Sequence, residues 1–155
     1  MYIPKFFRIQ EYVPPEIYED RGELAWELMD ERILISDDQM RKRYGPITIN
    51  NWHTGGRFSQ SGIRTFWHYG TFADEDNPTQ KELLDAHLAY FRSYSQHKYG
   101  RASDKKFRDV TPEEIRQDMI ANPDLFPLVY SFELGTETWL HTDVRNCERI
   151  KTYTP

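Results

Sequence analysis

The chain has 155 residues, the usual length of one domain, and a domain of this size buries about two thirds of its unfolded surface without covalent staples. With a net charge of −5, the chain lacks the positive electrostatic field of proteins that bind a phosphate backbone, so we expect no nucleic-acid partner. Cys147 is the only cysteine, which excludes an intramolecular disulfide and a cysteine-rich zinc module. Any metal site must therefore use histidines and carboxylates.

The N-terminus has basic residues but no continuous apolar stretch of signal-peptide length. No apolar run of about eighteen residues, the length of a membrane-spanning helix, occurs in the chain. The sequence therefore predicts a protein that is made in the cytoplasm without a signal peptide and does not insert into a membrane. A hydrophobic content of 38% with 15% aromatic residues predicts a folded chain.

The first half of the chain predicts two short helices, a short strand and a long ordered loop. Leu24 and Leu28 recur at helical spacing, and Ser36 offers a cap for the second helix. The strand alternates apolar and polar residues, and the loop is rich in Gly, Ser, Thr and aromatics without a clear period. In order, these elements span residues 23–29, 36–44, 46–50 and 53–77.

The second half predicts two capped helices and a β-hairpin. Thr79 and Glu82 form a capping-box pattern for a helix that runs to about Tyr90, and Thr111 with Glu114 forms another. That second helix ends at Asn122 and Pro123, and the hairpin strands span residues 128–134 and 138–144. The pattern predicts one α+β domain with a small antiparallel sheet and flanking helices. The polar tail after Cys147 is predicted to fray, and Cys147 itself is interpreted as a small buried hydrophobe.

Two histidines have the context of metal ligands. His97 precedes Asp104 by a segment in which Gly100 permits a tight backbone path and Ala102 permits close packing. A loop there could direct both side chains at one point.

His141 lies in the second predicted hairpin strand, where alternate side chains share one face. Two histidines and one aspartate would leave a fourth tetrahedral position for water, which is typical of a catalytic rather than a structural zinc. The face of His141 also carries Glu137, Trp139 and Asp143, whereas we interpret the remaining histidines as structural: His53, His68 and His87.

The segment from Ser95 to Asp104 matches, without a gap, the Ser-x-His-x-x-Gly-x-Ala-x-Asp signature of the D-Ala-D-Ala metallopeptidase, lysostaphin and hedgehog-type superfamily. Residues 139–145 resemble the closing aromatic-x-His-x-Asp segment of its D-Ala-D-Ala carboxypeptidase-like branch, which includes phage-encoded members. Residues 61–64 resemble the upstream Ser-Gly-x-Arg stretch of that branch. The resemblance covers roughly residues 45–145.

The resemblance implies a hedgehog or D,D-peptidase-like zinc fold with zinc bound by His97, Asp104 and His141. It implies that Ser95 binds the substrate backbone and that Arg64 binds or polarises the peptide near the scissile carbonyl. We therefore predict a single zinc peptidase-like domain over residues 1–155. A helical N-terminal extension over residues 1–44 precedes a metal-site core over residues 45–146.

The general base departs from the family pattern. Many relatives carry an acid three residues before the last histidine, where this chain has Thr138. Glu137 shares a face with His141 if the strand is regular, and we predict it as the base. Asp143 is the alternative, although it could instead orient His141 from behind.

These features predict a zinc peptidase that hydrolyses stem peptides of peptidoglycan, as a D,D-carboxypeptidase or an endopeptidase. A phage endolysin-type enzyme, released through a membrane lesion made by another protein, would need no signal peptide. The alternative is a non-catalytic zinc-stabilised module used for binding or in a virion. We expect a monomer. A local basic cluster could attract substrate carboxylates, and its members are Lys98, Arg101, Lys105, Lys106 and Arg108.

Overall fold

The computed structural model describes residues 1–145 and 151–154, and Cys147 lies outside them. Within these residues, four α-helices and a five-stranded sheet form the predicted α+β fold. None of the described helices is long and apolar enough to cross a membrane. The helices are α1 (Pro15–Arg21), α2 (Glu31–Tyr44), α3 (Gln80–Arg92) and α4 (Pro112–Ala121), and the strands are β1 (Ile47–Thr48), β2 (Ala102–Phe107), β3 (Ser131–Glu133), β4 (Leu140–Asp143) and β5 (Lys151–Tyr153).

The capping boxes predicted for α3 and α4 are confirmed. The Thr79 hydroxyl accepts a hydrogen bond from the backbone N–H of Glu82, and the Glu82 carboxylate accepts one from the N–H of Thr79. Thr111 and Glu114 form the same reciprocal pair at α4. Each box satisfies N–H groups that a helix leaves unpaired at its start.

The N-terminal helices differ from the prediction. Helix α2 begins at Glu31 rather than near Ser36, because the Asp30 carboxylate caps a backbone N–H in the first turn. The segment predicted as a helix over residues 23–29 forms a 3₁₀ helix at Gly22–Leu28. Helix α1 lies within the predicted helical extension over residues 1–44 but was not predicted as a separate element.

The sheet has the strand order β1-β2-β4-β3-β5. The predicted hairpin is confirmed, with Ser131 opposite Asp143, although β4 begins at Leu140 rather than at residue 138. All neighbouring strands are antiparallel except β3 and β5, which run parallel. The expectations of an antiparallel sheet and of a fraying tail are therefore wrong for residues 151–153, because the backbone of β5 pairs in parallel along the open edge of β3.

The predicted loop over residues 53–77 contains only short 3₁₀ turns and is tied to the sheet. The carbonyl of Ser61 accepts a 2.7 Å hydrogen bond from the N–H of Asp104, in strand β2. The Ile63 N–H donates a 2.7 Å bond to the carbonyl of Tyr12. These bonds hold the loop beside β2, a strand whose polar sequence predicted only a loop.

The hydrophobic core joins the N-terminal segment to the sheet and to α4. Side chains from before and after residue 45 belong to one buried cluster, so the N-terminal segment packs against the elements that carry the candidate site. The largest fully buried apolar members are Ile9, Tyr12, Ile33, Leu34, Met40, Ile49, Ile115, Met119, Phe132 and Leu140.

Candidate metal centre

The side chains of His97, Asp104 and His141 converge, and all three are buried. His97 Nε2 is 3.1 Å from His141 Nδ1 and 3.3 Å from Asp104 Oδ1. His141 Nδ1 is 2.8 Å from Asp104 Oδ1. Ligand atoms about 2.0–2.2 Å from a tetrahedral zinc ion are about 3.3–3.6 Å apart, so small outward shifts would accommodate the ion. The donor set of two imidazoles and one carboxylate could hold a metal ion.

Strand pairing brings two of these ligands together. Asp104 of β2 lies directly opposite His141 of β4, so both side chains point to the same face of the sheet. Their neighbours Ser103 and Thr142 point to the other face. The antiparallel register therefore positions Asp104 and His141, two of the three candidate ligands, within the sheet.

His97 reaches the sheet from the 3₁₀ helix Gln96–Tyr99, which Gly100 ends. Gly100 has φ +62°, a conformation that favours glycine. A Cβ at this position would also stand 2.1 Å from the carbonyl oxygen of Leu28. The glycine thus allows the chain to turn sharply against the N-terminal segment between His97 and β2.

A second set of contacts orients the imidazoles. His97 Nδ1 donates to the carbonyl of Gly62 at 2.6 Å, which leaves Nε2 unprotonated and directed at the centre. His141 Nε2 faces Asp143 Oδ2 at 3.6 Å, so its Nδ1 is directed inward. Asp143 is held in turn by the Ser131 hydroxyl at 2.7 Å and by the Arg145 guanidinium at 2.5 Å. This is the carboxylate–histidine arrangement that supports metal ligands in proteins.

The electrostatics favour metal-binding protonation states at two of the ligands. Burial lowers the pKa of His97 to about 4, so its imidazole is neutral at pH 7. Burial alone would raise the pKa of Asp104, but the hydrogen bonds and charges of His97 and His141 hold it well below its usual value. Burial likewise opposes the charged form of His141, yet Asp104 and Asp143 outweigh it and raise the pKa.

The centre opens onto a cleft of about 820 Å³. Both predicted substrate-binding residues, Ser95 and Arg64, line it. The Arg64 guanidinium contacts the second carboxylate oxygen of Asp104, and its Nε donates to the carbonyl of Gln60 at 3.0 Å. The remaining lining residues include Gln96, Ser131, Glu133, Trp139, Arg145, Thr152 and Tyr153.

The chain was compared with known proteins in three ways. A scan against protein-family models found none that matches, and searches of curated proteins and of solved structures found no match. The family resemblance therefore stays a prediction based on the motif.

Glu137, the predicted general base, lies outside the cleft. It is exposed in the turn before β4 and lines a separate shallow pocket with residues of the 107–112 segment. Its assignment assumed a regular strand through residue 137. Because β4 begins only at Leu140, the assumption that Glu137 shares a face with His141 is wrong.

Glu133 and Tyr153 line the cleft but were not among the predicted site residues. Glu133 is the last residue of β3, and the alternation of that strand was a usable signal for it. The Tyr153 ring lies edge-on to the ring of His141, with 5.9 Å between centroids. No local signal indicated Tyr153, because β5 forms only by pairing with a distant strand.

The predicted basic cluster does not form one surface. Four of its five members have partners elsewhere, and Lys106 alone among them lines a pocket that reaches the metal centre. The four are Lys98, which bonds backbone carbonyls, Arg101 near Asp30, Lys105 with Asp37, and Arg108 with Asp109.

Proposed function

We propose that this chain is a zinc-dependent peptidase that hydrolyses peptides of peptidoglycan. The single observation that carries the proposal is the convergence of His97, Asp104 and His141 at the floor of an open cleft. A structural zinc site is closed by four protein ligands, whereas three ligands beside a cleft leave a position for water and substrate. The choice of peptidoglycan depends on the motif resemblance.

The residues present fit a zinc ion in number, kind and spacing. A zinc ion bound there would lower the pKa of its water to about 7 and polarise a substrate carbonyl. The neutral imidazole of His97 and the ionised Asp104 are in the protonation states that such binding requires. Because the pKa of His141 is raised, zinc binding at this imidazole would compete with its protonation.

Glu133 is our candidate for the general base. Ser131 faces Asp143 across β3 and β4, and continuing this antiparallel register brings Glu133 beside His141 on the same face. Cross-strand neighbours have Cβ atoms about 4.5–5.5 Å apart, so the Glu133 carboxylate can reach the open side of the centre. It would accept the proton of the attacking water and pass it to the leaving amine.

Asp143 is a poorer candidate for the base. It is completely buried and does not line the cleft. Its carboxylate is held by Arg145 and Ser131, and it faces the outer nitrogen of His141. Its chemistry is that of a positioning residue, which fixes the direction of the imidazole.

Arg64 and Ser95 would act on the substrate. Arg64 lines the cleft beside Asp104, where its guanidinium could stabilise the negative charge that develops on the carbonyl oxygen. Ser95 precedes the 3₁₀ helix of His97 and is half-buried at the cleft wall, within reach of a peptide backbone.

The test compares Glu133, at the end of β3, with Glu137, in the turn before β4. Purified protein, its Glu133→Gln variant and its Glu137→Gln variant are incubated with peptidoglycan, with and without a chelator, and zinc content and new amino groups are measured. We expect zinc in all three, release only with metal, and a loss of about 10²–10⁴-fold in Glu133→Gln alone. Zinc binding without any release would instead support the non-catalytic module that Thr138 favours by replacing the usual acid.

A further inference from the structure

A second pocket, of about 470 Å³, adjoins the metal centre on the β2 side. It shares Asp104 and Trp139 with the main cleft, so a bound peptide could extend from one into the other across the metal centre. We call it the basic pocket. Its other lining residues are Arg57, Phe58, Lys106 and Thr138.

The two cations of the basic pocket are held by an aromatic ring rather than by acids. Lys106 Nζ lies 3.9 Å from the ring centroid of Phe58, and the Arg57 guanidinium lies 5.4 Å from it. Within residues 1–145 and 151–154, no carboxylate forms an ion pair with either cation. Other cations of the same region do have such partners, as Arg108 has Asp109.

The negative charge of Asp104, which lines the basic pocket, is already paired with other groups. Asp104 contacts the Arg64 guanidinium through one oxygen and faces both imidazoles with the other. Asp104 acts on Lys106 across the pocket but forms no ion pair with it, because its two oxygens contact Arg64 and the imidazoles. The pocket keeps positive charge on a chain whose net charge is −5.

The spacing of Asp104 and Lys106 along β2 indicates which residue of a bound peptide would lie near the positive charge of Lys106. Lys106 follows Asp104 by two residues on the same face of β2, so their Cα atoms are about 6.5–7 Å apart. An extended peptide advances about 3.3–3.6 Å per residue. With the scissile carbonyl at the metal centre, the flexible Lys106 side chain can meet a group carried by the adjacent residue.

We propose that the basic pocket binds a carboxylate carried by the residue next to the scissile bond. The inference rests on the proposed peptidase function and specifies its substrate class. A free C-terminal carboxylate would make the enzyme a carboxypeptidase that removes one residue. An acidic side chain at the same position would make it an endopeptidase selective for acidic residues.

Three acylated peptides distinguish these sources: one with a free C-terminal carboxylate after the scissile bond, its C-terminal amide, and an amide with an acidic side chain at that position. We expect kcat/KM for at least one carboxylate peptide to exceed that of the plain amide by about tenfold to a hundredfold, the range for a hydrogen bond to a charged group. In Arg57→Gln and Lys106→Gln this ratio falls by about tenfold or more. Arg108→Gln removes one charge outside the pocket and should keep the wild-type ratio.

A binding measurement does not depend on activity. N-acetyl-D-alanine and its amide are titrated into the chelator-treated 155-residue protein, and backbone amide shifts are followed by NMR. We expect shifts centred on Arg57 and Lys106 with the carboxylate only, and their loss in Lys106→Gln. Peptidoglycan cleavage with equal rates on all three peptides and no such shifts would overturn the basic pocket but not the peptidase. The absence of all cleavage would overturn the peptidase, while the shifts alone would still decide whether the pocket binds carboxylates.

Discussion

A buried ion pair on the opposite face of the sheet should stabilise the strands that carry two of the candidate ligands. Lys105 Nζ lies 3.0 Å from Asp37 Oδ1, and neither side chain has any exposed surface. This oxygen receives no well-aligned hydrogen bond, so the contact is chiefly electrostatic. Lys105 also donates to the hydroxyls of Ser103 at 2.7 Å and Thr142 at 2.5 Å, which joins β2 to β4.

We predict that Asp37→Asn lowers the free energy of unfolding by about 3–5 kcal/mol. At 3.0 Å and an effective dielectric constant of about 20, the attraction is about 5.5 kcal/mol. Asparagine keeps an acceptor for Tyr12 and Ser103, which bond Asp37 Oδ2, so the charge is the main loss. The buried ammonium of Lys105 would then lack a counter-charge.

Urea unfolding followed by tryptophan fluorescence measures this loss, with Asp38→Asn as the matched control. Asp38 is also buried but accepts its bonds from the Tyr2 hydroxyl and backbone N–H groups, with no cation among these partners. The double variant Asp37→Asn with Lys105→Met should recover most of the loss, because no unpaired charge remains. A loss below about 1 kcal/mol in Asp37→Asn, or no recovery in the double variant, would refute the reasoning.

Four further results are expected. Gly62→Ala should weaken zinc binding, measured with a competing chelator. A Cβ at this position would stand 2.1 Å from the carbonyl oxygen of Tyr12, and the resulting shift would displace the Gly62 carbonyl that orients His97. Unchanged affinity would contradict this role. Arg116→Met should lower the free energy of unfolding, measured by urea unfolding, by about 2–4 kcal/mol. The reason is that the buried guanidinium donates hydrogen bonds to three backbone carbonyls of the β3–β4 connection. Gln117→Met on the same helix is the control. The hydrogen bond from Arg43 lowers the pKa of Asp118 from 3.8 to about 2. Asp118 should therefore contribute stability that is present above pH 4 and is lost as the pH falls towards 2. Acid unfolding of Asp118→Asn should lack that component. Zinc at a hundred times its dissociation constant should raise the free energy of unfolding by about 2.7 kcal/mol, and an equal rise in Asp104→Asn would argue against the site.

Local signals in the sequence were sufficient for several elements. The capping boxes at Thr79 and Thr111 depend on side chains within one helical turn, so the start of each helix is encoded in a few adjacent residues. The β3–β4 hairpin follows from alternation on both sides of Gly135. The motif that contains His97 and Asp104, with His141 in the last predicted strand, was enough to predict which three side chains converge.

The surroundings of the candidate metal centre depended on where each strand begins and on how the strands pair. Glu137 lies outside the cleft because β4 begins only at Leu140, and Glu133 lines the cleft because β3 pairs with β4 in the register that sets Ser131 opposite Asp143. Tyr153 enters the site through a parallel pairing that no local pattern encodes. Lys105 and Lys106 are adjacent in sequence, yet the pleat of β2 buries one with Asp37 and leaves the other in the basic pocket. Residue types and spacing therefore specified the candidate metal-binding group, whereas strand register decided which acid and which cations surround it, because register is set by packing across the whole sheet.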